Sequence, residues 1–165
     1  MRVLGIDPGT HKMGVGVVTA SGSDMESVYF GVINSKRTDP ISKRLAFIFD
    51  GLTEVMQEWK PTDVAIEEPF VGRNIKAAMA IGHAQAVAML VAARFSLDVS
   101  GYAPSQIKQA VTDHGGSSKE QVQEMVSVLL RLDAVPSSSD AADALAVAIC
   151  HINAVEASQR VEAKR

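Results

Sequence analysis

Two short apolar segments of this chain each end in acidic side chains, and this arrangement constrains the fold more than any other feature. Val3–Ile6 is followed directly by Asp7. The second segment, Val64–Ile66, is followed by Glu67 and Glu68. Short apolar runs of this kind are typical of strands buried on both faces, and an ionised carboxylate is rarely buried without a partner. The pattern predicts a sheet whose strand ends carry functional acids.

The spacing of the other elements indicates that this sheet is mixed. Residues 2–7, 13–20 and 26–33 form three predicted strands joined by short turns, so neighbouring strands must run antiparallel. Two further predicted strands, at 63–67 and about 97–102, alternate with helices. We therefore predict an α/β fold with a five-stranded mixed sheet, in which an antiparallel three-strand meander is extended by parallel strands and flanked by helices.

Apolar side chains at three- and four-residue spacing predict the helices. The predicted helices cover residues 40–59, 74–95, 104–113, 118 to about 132, and 140 to about 155. The helix over 74–95 is apolar around more than one face, so we expect its outer side to be covered by a partner subunit or by an added helical layer. We predict one domain over residues 1–155 and a frayed tail over 156–165.

Composition excludes several classes of protein. The 165 residues carry a formal net charge of −3, which argues weakly against a protein that coats nucleic acid without specificity. Cys150 is the only cysteine, so one chain can form neither a disulfide nor a cysteine-based zinc site. The N-terminus has no signal-peptide pattern, and the longest apolar stretch, 84–93, is too short to span a bilayer. We expect a cytoplasmic location.

Asp140 and Asp143 stand three residues apart and therefore share one face of the last predicted helix. Two acids at a helix start can simply complement the macrodipole, which is worth about 0.3–1 kcal/mol each. Together with Asp7 and the acids at 67 and 68, however, they favour a common site. Converging carboxylates repel each other unless a cation lies between them, and Mg²⁺ prefers oxygen ligands. The residues alone do not choose between Glu67 and Glu68.

Three motifs at these positions resemble one known family. Gly5–Thr10, Ala65–Glu67 and Asp140–Ala146 are similar to the RuvC family of Holliday-junction resolvases, which have a ribonuclease-H-like fold. The similarity extends from residue 1 to about 155. The resemblance implies four acids that are both catalytic and metal-binding: Asp7, Glu67, Asp140 and Asp143.

The resemblance also implies an activity. Members of the family are Mg²⁺-dependent endodeoxyribonucleases that resolve four-way junctions by paired symmetric nicks, in recombination and repair. The implied mechanism is hydrolysis with two Mg²⁺ ions in each active site, for which Mn²⁺ is the expected substitute, and it leaves a 5′-phosphate and a 3′-hydroxyl. The implied assembly is a homodimer, with the helix over 74–95 as the candidate contact, working beside a branch-migration motor.

The DNA contacts are less sharply indicated. Phe70 matches a family position whose aromatic wedges into the junction, but a core aromatic beside Pro69 explains it equally well. Lys108 and Lys119 match basic positions that the family uses near the scissile strand. The remaining DNA-binding candidates are Arg73, Asn74 and Lys76, for which solvated surface groups are the ordinary interpretation.

Gly82–Ala86 departs from the family pattern, because many relatives have Gly-Gln-Ala-Arg-Gly there and this chain lacks that arginine. We expect a consequence for the dimer face or for a DNA contact. Three alternative functions remain open: a ribonuclease-H-like nuclease acting on RNA–DNA hybrid or single-stranded RNA, a non-catalytic junction-binding protein, and an actin-like phosphate-binding fragment suggested by the turn Asp7–Thr10. Actin-like ATPases need two such domains, and this chain has room for one.

Overall fold

The computed structural model describes residues 1–22, 24–68 and 74–163. Its centre is a five-stranded sheet in the order β3-β2-β1-β4-β5. The strands are β1 (Arg2–Asp7), β2 (Lys12–Ser21), β3 (Asp24–Asn34), β4 (Asp63–Glu67) and β5 (Val99–Tyr102). β1–β2 and β2–β3 pair antiparallel, whereas β1–β4 and β4–β5 pair parallel. The predicted mixed sheet is confirmed.

The parallel pairing of β1 with β4 determines where the strand-end acids meet. Ile6 pairs with Ile66, so Asp7 and Glu67 follow at adjacent positions on the same edge of the sheet. Because carboxyl ends of parallel strands share an edge, two acids that are 60 residues apart in sequence become neighbours.

Helices cover both faces of the sheet. They are α1 (Ile41–Trp59), α2 (Ile75–Arg94), α3 (Pro104–Thr112), α4 (Lys119–Leu129) and α5 (Ser139–Glu162). One apolar cluster joins the sheet to α1 and α2, and a second joins the opposite face to α3, α4 and α5. Along β1 the side chains alternate between these clusters: Leu4 and Ile6 pack in the first, and Val3 packs in the second.

α5 approaches the sheet closely because glycines lie beneath it. A Cβ atom on Gly5 would collide with the carbonyl oxygen of Ala144, and one on Gly14 would collide with the carbonyl oxygen of Asp140. A Cβ on Gly16 would press on Leu145 at 2.8 Å. These three strand residues therefore form a floor on which the first half of α5 rests.

The C-terminal end differs from the sequence prediction. α5 continues as a helix to Glu162 rather than ending near 155, so most of the segment 156–165 that we expected to be frayed is helical. Arg160 Nη2 donates to Glu156 Oε2 at 3.0 Å, one turn earlier, and such pairs support an exposed helix end. The other bounds differ from the predicted ones by only a few residues.

Two helices, α2 and α5, are long and apolar enough to cross a membrane by length and composition alone, which is weak evidence because core helices of soluble proteins pass the same test. In α5, 61% of the most apolar window is buried within the fold, but in α2 only 22% is buried. Within the described residues no added helical layer covers the outer side of α2, where Ile75, Met79, Met89 and Leu90 are exposed.

Candidate active site

Four acids converge at the carboxyl-terminal edge of β1 and β4. Asp7 is the last residue of β1 and Glu67 the last of β4, while Asp140 and Asp143 lie in the first turns of α5. Because Ile6 and Ile66 pack towards α1 and α2, the next residue along each strand points to the face that α5 covers. Gly14 leaves room between the Asp7 side chain and the backbone of Asp140, which brings the helix start over the strand end.

The charges of these acids act on one another. Burial is the largest cause that raises the pKa of Asp7, from 3.8 to about 7, and the negative charges of Glu67, Asp143 and Asp140 raise it further. Lys119 acts in the opposite direction and lowers it. Burial also raises the pKa of Glu67, as does the charge of Asp143, against the lowering influence of Lys119 and Lys108. Such mutual repulsion requires cationic compensation.

Lys119 supplies part of that compensation. It is the first residue of α4, and its Nζ lies 2.6 Å from Oδ2 of Asp143. Burial lowers the pKa of Lys119, but the hydrogen bond and charge of Asp143, with the charges of Asp7 and Asp140, outweigh burial and raise it. The macrodipole of α4 disfavours a positive charge at the helix start. The charge of Lys119 is therefore stabilised by the neighbouring carboxylates and not by its own helix.

The donor set fits a hard divalent cation, although the acids stand apart in this structure. Among residues 1–22, 24–68 and 74–163, no three His, Cys, Asp or Glu side chains are close enough to share one ion as they stand. Asp143 is instead paired with Lys119. Four carboxylates with a single directly paired ammonium group leave net negative charge in a partly buried site, and carboxylate oxygens are the ligands that Mg²⁺ prefers. The residues present therefore fit Mg²⁺.

A cavity of about 200 Å³ opens beside the acids. Glu67, Asp143, Lys108 and Lys119 supply its charged side chains. The rest of its wall is apolar and comes from Pro104, Ile107, Val122 and Ala146. A groove that places two ammonium groups next to two carboxylates has the charges to accept a phosphodiester together with divalent cations.

The side chains of Glu67 and Glu68 lie on opposite faces of the sheet. The Glu68 carboxylate lies over Gly101 of β5, where a Cβ atom would collide with it, and its backbone N–H donates to the Tyr102 carbonyl at 2.8 Å. Glu67 instead faces Lys108, Lys119 and Asp143. Strand alternation therefore places one glutamate in the site and directs the other away from it.

Two side chains that the sequence analysis did not predict as site residues contact these acids. Gln85 of α2 donates from Nε2 to the Glu67 carbonyl at 3.0 Å, so this departure from the family pattern contacts the backbone of the site. Ser138 Oγ lies 3.3 Å from Oδ2 of Asp140. The signal for Gln85 was that it is the one amide side chain in a mostly apolar helix. A serine two residues before an acid is too common to have indicated Ser138.

The predicted DNA-contacting residues are placed unevenly. Phe70 and Arg73 lie outside the described residues. Asn74 caps the start of α2, where its side chain accepts from the Ala77 N–H at 3.1 Å, and Lys76 is exposed in the first turn. Of the four predicted DNA-contacting residues that the structure describes, Lys108 and Lys119 are the two that lie beside the acids.

Comparison with known proteins identifies this fold and motif set. The family model "Crossover junction endodeoxyribonuclease RuvC" matches residues 3–151. The chain belongs to the RuvC family. This confirms the resemblance drawn from the three motifs, and the enzyme class of the family is endodeoxyribonuclease.

Individual RuvC proteins match over nearly their whole length. The RuvC of Dehalococcoides mccartyi is 52% identical over 151 residues, which are 92% of this chain and 92% of the relative. That of Natranaerobius thermophilus is 41% identical over 98% of this chain and 100% of the relative. A solved structure of T. thermophilus RuvC in complex with Holliday junction substrate superposes with a TM-score of 0.90 at 33% identity, covering 96% of each chain. The ribonuclease-H-like fold of RuvC proteins is thus the fold of this chain.

Proposed function

We propose that this protein resolves four-way DNA junctions by paired symmetric nicks, using two divalent metal ions in each active site. The observation that carries the proposal is the convergence of Asp7, Glu67, Asp140 and Asp143 at one sheet edge in a chain of the RuvC family. The T. thermophilus relative that superposes on this chain was solved with a Holliday junction substrate, which supports the substrate class.

The acids and lysines of the site have separate roles in this proposal. The four carboxylates would hold Mg²⁺, or Mn²⁺ in its place, and the bound ions would supply an activated water and stabilise the leaving oxygen. Lys108 and Lys119 line the same cavity and can neutralise the oxygens of the scissile phosphate. Pro104, Ile107 and Val122 form a wall that limits water around these charges, which strengthens each electrostatic contact.

The decisive experiment uses a labelled four-way junction, with a matched linear duplex and an RNA–DNA hybrid, in Mg²⁺. We expect paired symmetric nicks on the junction alone. Asp7→Asn should cut at least about 100-fold more slowly, since a metal ligand is lost. Cleavage of the hybrid instead would assign the site to a ribonuclease. Tight junction binding without cleavage in either Mg²⁺ or Mn²⁺ would identify a binding protein.

The glutamate pair gives this experiment a matched control. Glu67→Gln and Glu68→Gln change the same group at adjacent positions, but only Glu67 faces the other acids. We expect the first variant to lose cleavage at least about 100-fold and the second to stay within a few-fold of the wild type. Equal losses in both variants would contradict the assignment of Glu67 as the ligand.

We propose further that the protein is a homodimer joined through α2. Ile75, Met79, Gly82, Ala86 and Met89 repeat at alternating four- and three-residue steps along its outer side, the spacing by which one helix packs on another. Ile75 is 70% exposed and Leu90 is 56% exposed in the single chain, which is unusual for side chains of this size. A two-fold dimer also suits paired incisions related by two-fold symmetry.

Sedimentation at micromolar concentration tests the assembly, and a monomer would contradict it. Family membership is what supports a branch-migration motor as a working partner of this dimer.

A further inference from the structure

Basic side chains surround the turn that follows Asp7, on the opposite side of the acids from Lys108 and Lys119. Residues 35–44 contain four basic side chains and a single acid, Asp39. The exposed basic side chains around the turn are Lys12, Lys36, Arg37 and Lys43, which we call the basic patch. This concentration stands out in a chain with a net charge of −3.

Hydrogen bonds fasten the segments of the patch onto the turn. Ser35 is 2% exposed; its Oγ donates to the Thr10 carbonyl at 2.9 Å and its N–H donates to the His11 carbonyl at 2.9 Å. From the first turn of α1, Arg44 Nη1 donates to Thr10 Oγ1 at 3.1 Å. The end of β3, the start of α1 and the turn after Asp7 are therefore one fixed unit, and the four patch side chains extend from it.

The patch begins close to the acids. Gly14 pairs with Asp7 across the sheet, and Lys12 precedes Gly14 by two residues in the same strand. Two strand residues span about 7 Å, so the Lys12 backbone lies within about 10 Å of the strand end that carries Asp7. Lys12 in turn pairs with Asn34, which leads directly into the segment with Lys36 and Arg37.

Arginines elsewhere in the described residues are engaged, whereas the patch is not. Arg131 pairs with Asp24 at 3.3 Å and Arg160 with Glu156 at 3.0 Å. Arg2 donates to the Trp59 carbonyl, and Arg94 lies over the Phe49 ring. Across residues 1–22, 24–68 and 74–163, no carboxylate lies within 4.0 Å of a charged nitrogen of the patch. Its positive charge is thus available to an external anion.

We propose that Lys12, Lys36, Arg37 and Lys43 bind backbone phosphates of a DNA arm that continues past the acids, on the side away from Lys108 and Lys119. This inference rests on the proposed function. The acids at the ends of β1 and β4 lie between the two groups of cations, so a strand crossing them meets positive charge both before and after the scissile phosphate. Lysine and arginine on an exposed, fixed unit suit contacts that position a backbone without reading its sequence.

Salt dependence of binding tests this directly, because each phosphate that a cation neutralises adds about 0.9 to the slope of log K against log salt concentration. The patch variant combines Lys12→Gln, Lys36→Gln and Arg37→Gln. Both it and its reference carry Asp7→Asn, so that junctions are bound in Mg²⁺ with little cleavage. Fluorescence anisotropy gives the dissociation constant of a labelled four-way junction and of a linear duplex between 50 and 300 mM salt.

A control variant removes the same number of charges at the opposite edge of the sheet. It combines Lys60→Gln, Arg131→Gln and Arg160→Gln, so both variants change the net charge equally. We expect the patch variant to bind the junction about 10- to 100-fold more weakly at 150 mM salt, with a slope reduced by about 2 to 3. The control should bind within about threefold of the reference with an unchanged slope.

The possible outcomes separate the patch from the proposed function. If both variants weaken binding equally, only overall charge matters and the patch assignment is overturned. An unchanged slope of log K against log salt concentration in the patch variant also overturns the assignment. A patch that binds an acidic protein instead of DNA would give this result. A reference protein that binds the junction no better than the duplex contradicts the proposed function, while the duplex slopes still decide whether the patch binds DNA.

Discussion

The two longest helices of the molecule, α2 and α5, are similar in composition and opposite in environment. Both are rich in alanine and apolar residues, with 20 and 24 residues. α5 lies on a glycine floor with 61% of its most apolar window buried, whereas α2 buries only 22% of its own. Apolar composition therefore did not determine burial; the residues opposite each helix did.

The two helices also differ in what they contribute to the candidate active site. α5 carries Asp140 and Asp143 at the end that meets β1, and its close seat on the sheet brings those carboxylates to Asp7. α2 has no acidic residue, and its one polar contribution to the site is the Gln85 hydrogen bond to the Glu67 backbone. One helix is thus built into the core and the site, and the other supports the site while presenting an uncovered apolar side.

The largest expected effect is a loss of stability when the close packing of α5 on the sheet is disturbed. In Gly5→Ala the new Cβ would meet the Ala144 carbonyl oxygen and the Ala148 nitrogen, both of them backbone atoms that cannot rotate away. We expect a loss of about 3 kcal/mol or more in the free energy of unfolding, because overpacking here must displace the whole helix. Urea unfolding followed by circular dichroism measures it.

Gly82→Ala is the matched change in α2, where an added Cβ has no neighbour within 4 Å. It should leave the free energy of unfolding unchanged or raise it by up to about 1 kcal/mol, since alanine favours a helix. Both variants should be compared at one low protein concentration, so that association through α2 contributes little. Similar changes in the free energy of unfolding for the two variants would show that α2 and α5 do not differ in how closely they pack on their neighbours.

The second effect is electrostatic and belongs to the acid-bearing end of α5. The pKa of Asp7 is raised from 3.8 to about 7, so between these values the native state binds a proton that the unfolded state has released. Stability of the metal-free protein must then fall as pH rises towards and through 7, by at most about 4 kcal/mol at 1.36 kcal/mol per pKa unit. Asp7→Asn removes this loss.

Thermal unfolding in EDTA at pH 5 and pH 8 measures this dependence. We expect the stability advantage of Asp7→Asn over the wild type to be larger at pH 8 than at pH 5 by about 1–3 kcal/mol, because most of the loss falls between pH 5 and 7. Adding Mg²⁺ should stabilise the wild type more than the variant. A wild type that is more stable at pH 8 than at pH 5 in EDTA would refute the picture of uncompensated acids.

The sequence was sufficient to predict most of the fold because its signals are local. Alternating apolar segments and three- to four-residue spacing mark elements within a few residues, and short turns force antiparallel pairing. The predicted end of α5 was wrong because residues 157–162 are exposed and lack an apolar pattern. The helix is supported there by the contact between the Glu156 and Arg160 side chains.

The site was only partly predictable, because its remaining features depend on what lies across the fold. Gly5 and Gly14 read as ordinary strand glycines until α5, more than 120 residues later, is placed above them. Choosing Glu67 over Glu68 requires knowing which face α5 covers, and resemblance supplied what the residues could not. The Lys119–Asp143 pair joins two helices whose relative position has no sequence signal.

The third effect concerns dimer affinity and tests whether the uncovered side of α2 is the dimer contact. Leu90→Lys places a charge on a side chain that is 56% exposed in the single chain, so monomer stability should change by less than about 0.5 kcal/mol. If α2 is the dimer contact, the dissociation constant of the dimer should rise at least about tenfold, because a charge is buried without a partner. Sedimentation velocity over a concentration series measures it.

Val128→Lys provides the same substitution on an apolar side chain of α4 that is 69% exposed. It should leave the association unchanged. A dimer weakened by the change in α4 but not by the change in α2 would move the interface to the other face of the molecule.

The smallest expected effect is a change in Mg²⁺ affinity at the acid-bearing end of α5. Lys119 is paired with Asp143, so it competes with any divalent ion for that carboxylate. Lys119→Met removes the competitor while keeping a side chain of similar length. We expect Mg²⁺ to bind about two- to fivefold more tightly, a modest gain because half of the lysine side chain is exposed and such pairs contribute little.

Lys108→Met is the control for this change, because Lys108 lines the same cavity without a carboxylate partner within 4.0 Å among the described residues. The midpoint of the Mg²⁺-dependent rise in melting temperature, or loss of the free Mn²⁺ signal in electron paramagnetic resonance, reports affinity without cleavage. Tighter binding in Lys119→Met alone would show that the lysine holds a metal-ligand position while the ion is absent. Weaker binding would mean instead that Lys119 orients Asp143 for the metal, so that the end of α5 depends on α4 as well as on its glycine floor.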